Sequence, residues 1–236
     1  MWTIGHCALA YIISRPFLGK RPIEPLTLLS IFFFASILDF AHVYEYRTFT
    51  HSLIFFIPFV AILLWILITG KILRREHIIP ISIAASTHII ADVLFGSFAF
   101  FVPLSFYELN YYGWGSYLDY SIEIVLFSIM MVTLHFTGDL KQLQKLTIVG
   151  YDDNKAQRIF HNVVLIGLIL AILGQLGGVV YLDFLNGYNF YNQKIYNDGS
   201  MWYMSLAFII IHIIFIVILV PWAFRRLEKR VEELDI

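Results

Sequence analysis

IIPISIAASTHIIADVLFGSFAFFVP, residues 78–103, is apolar over enough residues to cross a bilayer, yet it carries His88 and Asp92 near its middle. A run of that length reads as a transmembrane helix. Ionisable groups inside such a helix are costly unless they face a bundle interior and find partners, so their presence points to a functional site. Spaced four apart, His88 and Asp92 share one helix face and can offer two donors to one ion.

Working outward, six further apolar cores accompany Ile78–Pro103: Met1–Ile13, Leu26–Val43, Ser52–Thr69, Ser121–Thr137, Ile159–Leu182 and Trp202–Phe224. The first is short for a span; it lacks a basic leading segment and a small-residue cleavage site, so it reads as a retained membrane segment. Of the 236 residues 59% are hydrophobic and only 14% charged, which excludes a soluble domain at this stage and leaves an all-α, polytopic transmembrane helical bundle. The expected organisation is a five-span core over 1–137 and a two-span extension with a cytoplasmic tail over 138–236. No strongly basic region exists, so nucleic acid is not an expected partner. The one cysteine, Cys7, has neither a disulfide partner nor finger spacing and reads as a small buried thiol.

Short loops rich in Lys and Arg stay in the cytoplasm. Of the 16 basic residues only Arg47 and Lys194 fall on one side of a seven-span arrangement, which therefore has its amino terminus outside and its carboxyl terminus inside the cell membrane. This orientation uses no His or Asp position. It nevertheless brings His6, Asp39, His42 and His51 to the outer ends of the first three spans, with His88 and Asp92 at middle to outer depth of the fourth.

Asp39 and His42 are three apart and Asp119 and Glu123 four apart, and each pair shares a helix face. The same holds for Arg47 and His51 if the third helix starts early. Carboxylates beside histidines suit Zn²⁺, with Mn²⁺ or Fe²⁺ as alternatives. Such an ion lowers the pKa of bound water and polarises a phosphoryl oxygen. Against this stand plain structural readings: His212, mid-span with no acid nearby, reads as a packing histidine; His77, His135 and His161 read as interfacial; Asp119 reads as a helix cap; Glu123 is either a ligand, a partner of Arg47 or a group facing water.

The order Gly5-His6, Leu38-Asp39-Phe40-Ala41-His42, Arg47-Thr48-Phe49-Thr50-His51-Ser52-Leu53 and His88-Ile89-Ile90-Ala91-Asp92 resembles the YdjM-like family of membrane-bound metal-dependent hydrolases over roughly residues 1–130. The resemblance implies His6, Asp39, His42, His51, His88 and Asp92 as metal ligands and Arg47 as an anion clamp suited to phosphate. Ala41 stands where the family has a second Asp, and Thr48 where it has Gly. The missing acid leaves open one ion in place of two, or binding without catalysis.

The expected function is hydrolysis, near the outer leaflet, of a phosphoester or related bond in a lipid-linked substrate, with Glu123 as a carboxylate that moves protons. The alternative is a non-catalytic metal-binding scaffold or ion-handling protein with the same ligands. A third reading makes the polar residues a hydrogen-bond network between helices and nothing more.

Overall fold

The computed structural model describes residues 3–38, 50–95, 98–99, 101–105, 108–109, 117–145, 155–180 and 206–218. Asp39, His42 and Arg47 lie outside the described residues. Helices dominate: α1 (Thr3–Ser14), α2 (Pro25–Ser36), α3 (Leu53–Thr69), α4 (Ile78–Phe95), α5 (Tyr117–Thr137), α6 (Asp139–Lys145), α7 (Lys155–Val179) and α8 (Leu206–Ile218). A two-residue antiparallel ladder, β1 (Phe98–Ala99) against β2 (Glu108–Leu109), is the one departure from an all-α fold among the described residues.

The expectation that the fourth span runs to Pro103 is corrected: α4 stops at Phe95 and the chain turns extended at Phe98. Gly96, unfavourable in a helix by about 1 kcal/mol relative to alanine, follows Phe95 in the sequence, and the aromatic run after it favours extended backbone. Even so, the 3-10 turn Arg75–His77 and α4 together give one helix long and apolar enough to cross a membrane, and Leu118–Thr137 gives a second. Pro25–Ser36, Leu53–Thr69, Asn162–Gly177 and Leu206–Ile218 are shorter apolar helices.

Burial is distributed unlike that of a soluble bundle. Helix α1 is the central strut, packed against α2, α4 and α5, and nearly every residue of α1 and α2 is buried. Outer helices instead expose apolar stripes at helical spacing: Val125, Ile129, Val132 and Phe136 on α5, and Val163, Ile166 and Leu170 on α7. In water such stripes would be large apolar patches requiring a cover.

Both ends of α1 are tied down by buried polar groups. At its carboxyl-terminal end Asp139, fully buried, accepts hydrogen bonds from Tyr11 Oη (2.7 Å), Arg15 Nε (2.7 Å) and Ile23 N (2.6 Å). Arg15 also donates to the carbonyls of Gly19 and Arg21. Gly138, at φ +78°, lets α5 turn back so that Asp139 points under α1; a side chain at this left-handed position would be strained. Arg15 is thus buried and ion-paired.

At its amino-terminal end the orphan N–H groups of the first turn find side chains from two other helices. Gln175 of α7 accepts from Thr3 N (3.1 Å) and donates to Thr3 Oγ1 (2.7 Å). Glu123 of α5 accepts from Gly5 N (3.0 Å) through Oε2. A carboxylate suits a helix amino terminus, where the backbone dipoles present partial positive charge.

Candidate metal centre

Four side chains from three segments converge beside that amino-terminal turn of α1. His6 follows Gly5, the residue held by Glu123; His88 and Asp92 stand on the buried face of α4; His51 lies in the turn that precedes α3. Ser52 begins α3 as its N-cap, its hydroxyl accepting from Phe55 N at 3.3 Å. His51 therefore sits just outside α3, one residue before its N-cap.

Asp92 is the hub. Its Oδ1 lies 3.4 Å from His6 Nε2, and its Oδ2 lies 3.4 Å from His51 Nε2 and 3.2 Å from His88 Nε2. The imidazoles of His6 and His88 are stacked, with centroids 4.1 Å apart and planes 18° apart, while His51 tilts toward His88 at 5.5 Å. All four side chains are buried.

The donor set fits a metal ion on two counts. First, His88 Nδ1 is 2.6 Å from the carbonyl oxygen of Ala35. A carbonyl only accepts, so this nitrogen carries the proton, and a neutral His88 then presents its Nε2 lone pair as the ligating atom. That lone pair faces a carboxylate oxygen, an arrangement that requires a proton or a cation between them. Second, donors about 2.0–2.1 Å from a tetrahedral zinc are about 3.3–3.4 Å from each other, close to the three separations Asp92 makes. One donor atom each from His6, His88 and Asp92 can be chosen so that all lie within 4.8 Å of one another, and this buried cluster can hold a metal ion.

Of the residues singled out from the sequence, His6, His51, His88 and Asp92 come together, and Asp39, His42 and Arg47 lie outside the described residues. Glu123 is fully buried and engaged by Gly5, so the option that it faces water is corrected. Asp119, in the first turn of α5, is also fully buried. Cys7 is buried and directs its thiol to Phe32 O at 3.6 Å. His212 is buried in α8, with Nδ1 2.8 Å from Phe208 O of its own helix and its ring against Phe208. Sequence reasoning missed Ala35 and Gln175. Ala35 acts through a backbone carbonyl, which no residue type signals; the lone glutamine in the apolar run 159–182 was a visible sign that went unused. No protein-family model matches the chain, and no curated protein or solved structure shows significant similarity to it.

Proposed function

We propose that the chain is a multi-pass membrane protein of about seven spans, amino terminus outside, and that its buried His/Asp cluster serves a hydrolase acting on a phosphoester or related bond of a lipid-linked substrate at the outer leaflet. The observation that carries the reading is Asp92 facing three imidazole Nε2 atoms at 3.2–3.4 Å inside a bundle of apolar helices. The outward apolar stripes of α5 and α7 and the one-sided distribution of Lys and Arg support the membrane placement. The sequence likeness to the YdjM-like family supports the reaction class.

His6, His51, His88 and Asp92 would hold the ion, with Asp39 and His42 as further candidates. A divalent cation bound there supplies Lewis-acid polarisation of a phosphoryl oxygen and acidifies water. The Ala35 carbonyl holds the His88 ring in its ligating tautomer, the kind of outer support that fixes metal ligands. Arg47 is assigned to the anionic oxygens of the substrate. Glu123 is assigned to proton transfer, its Oε2 accepting at the same time from Gly5 N. Depth in the bundle favours an amphiphile over a soluble metabolite.

Elemental analysis of the detergent-purified chain beside His88→Ala/Asp92→Ala tests the core of this reading. Stoichiometric zinc, manganese or iron in the wild type and its loss in a folded variant is the expected result. Absence of metal from both, after incubation with these ions, would leave a structural polar network as the better account. Ala41, in place of the family's second acid, favours a second reading, a metal-binding scaffold without turnover. Substituting Arg47 separates the two: the hydrolase loses activity on lipid phosphoesters while keeping its metal, whereas a scaffold hydrolyses nothing before or after.

A further inference from the structure

At the end of α3 remote from His51 the chain encloses an open cavity of about 480 Å³, lined by Ile68, Thr69, Lys71, Leu73, Arg74 and Arg75. It shares no residue with the metal centre. Three of its lining side chains are cationic. Lys71 and Arg75 enter no ion pair among the described residues, and Arg74 makes only long, exposed approaches of 3.5 Å to Glu76 and 3.9 Å to Glu24, the kind that water largely screens.

The loop that gathers these cations is well held. Gly70 N donates to Ile66 O (2.9 Å), Lys71 N to Ile68 O (3.0 Å), and Ile72 N and Leu73 N both to Leu67 O (2.8 and 3.0 Å). Lys71 is fixed at φ +56°, a left-handed conformation uncommon for a residue other than glycine. From α7, Gln157 Nε2 donates to the carbonyls of Lys71 (3.2 Å) and Ile72 (3.1 Å). The cations are thus presented on a fixed backbone. Around them stand Ile68 and Leu73, and the loop joins the apolar helix Leu53–Thr69 to the candidate span that begins at Arg75.

Cations over an apolar wall, at the depth where two apolar helices end, match an anionic headgroup above its own acyl chains. A soluble phosphate would make no use of the partly exposed Ile68 beside the cations. We propose that this cavity is a binding site for the phosphate-bearing headgroup of an anionic phospholipid, with Lys71 and Arg75 meeting the phosphate and the partly exposed Ile68 the glycerol and upper acyl chain. The site rests on the membrane-spanning reading given above and is independent of the metal.

The test is native mass spectrometry of the full chain in detergent, titrated with phosphatidylglycerol and with phosphatidylcholine of the same acyl chains. Wild type is expected to retain phosphatidylglycerol preferentially. Lys71→Gln/Arg75→Gln should bind it about 25-fold more weakly, about fivefold for each cation near an anionic surface. Lys20→Gln/Lys141→Gln removes the same charge from exposed positions outside the cavity and should bind as wild type does. Equal loss in both variants, or no preference in wild type, would overturn the site. Displacement of the lipid by millimolar inorganic phosphate would overturn the lipid assignment in favour of a soluble phosphate. A chain that stays dispersed without detergent would overturn the membrane reading itself, an outcome distinct from failure of the lipid site.

Discussion

Replacing Asp92 with asparagine distinguishes an ion site from a hydrogen-bond network by the sign of its effects as well as their size. Asp92 lies within 3.2–3.4 Å of all three imidazoles, and its side chain is only 4% exposed. Attraction between unit charges about 4 Å apart is about 4 kcal/mol at the effective dielectric typical of protein sites. An amide keeps the shape and loses that attraction, so Asp92→Asn should weaken divalent-ion binding by about a thousandfold. Stability without metal should move the other way or not at all, because a buried charge has been removed and the new N–H₂ group can donate to an imidazole lone pair. The assay is chelator-competition titration, paired with thermal unfolding in the presence and absence of the ion. Wild type should gain stability with ion concentration as a bound ligand requires, and the variant should not. A variant that binds the ion as wild type does, or that is destabilised equally with and without it, would refute the ion site and make Asp92 a helix-to-helix strut.

Glu123→Gln keeps an acceptor for Gly5 N, so fold and metal content should persist while turnover falls about a hundredfold, the lower range for loss of a proton-transfer group; unchanged turnover would reduce Glu123 to a cap of α1. Asp139→Asn leaves Arg15 buried beside a neutral group and should cost about 3–5 kcal/mol, read by denaturant or detergent unfolding; a cost below about 1 kcal/mol, the size of an exposed pair, would contradict the buried ion pair. His212→Phe should leave metal content unchanged and keep or raise the melting temperature, since the Nε2 of His212 is buried without a hydrogen-bond partner among the described residues; loss of metal would show that α8 reaches the centre.

The helical class and the pairing of His88 with Asp92 were legible from sequence spacing, and His6 and His51 were brought toward them by the Lys/Arg asymmetry and the family resemblance. Period and apolar length fix a helix, and an ionisable residue in an apolar run has few places to point. The end of α4 was not legible: the run from Phe98 to Pro103 is as apolar as the helix before it, and hydrophobicity alone does not separate helix from extended chain. Nor could the pattern show that Arg15 is buried, since a Lys/Arg count treats every basic residue as solvated and Asp139 lies 124 positions away. The tautomer of His88 depends on a backbone oxygen of α2, which only folding brings within 2.6 Å.

Helix α1 spans 12 residues, about 18 Å at 1.5 Å each, and both its ends are anchored by groups that are translated long after it. Glu123, Asp139 and Gln175 are all absent when a ribosome has made only residues 1–95, although that fragment already contains His6, His51, His88 and Asp92. The candidate metal centre therefore draws on late assembly as well as on the local motif. A nascent chain of 95 residues should show no selective ion uptake, and competence should appear only as the last of these anchors emerges. Ion capture would then report completed biogenesis, leaving truncated chains chemically inert.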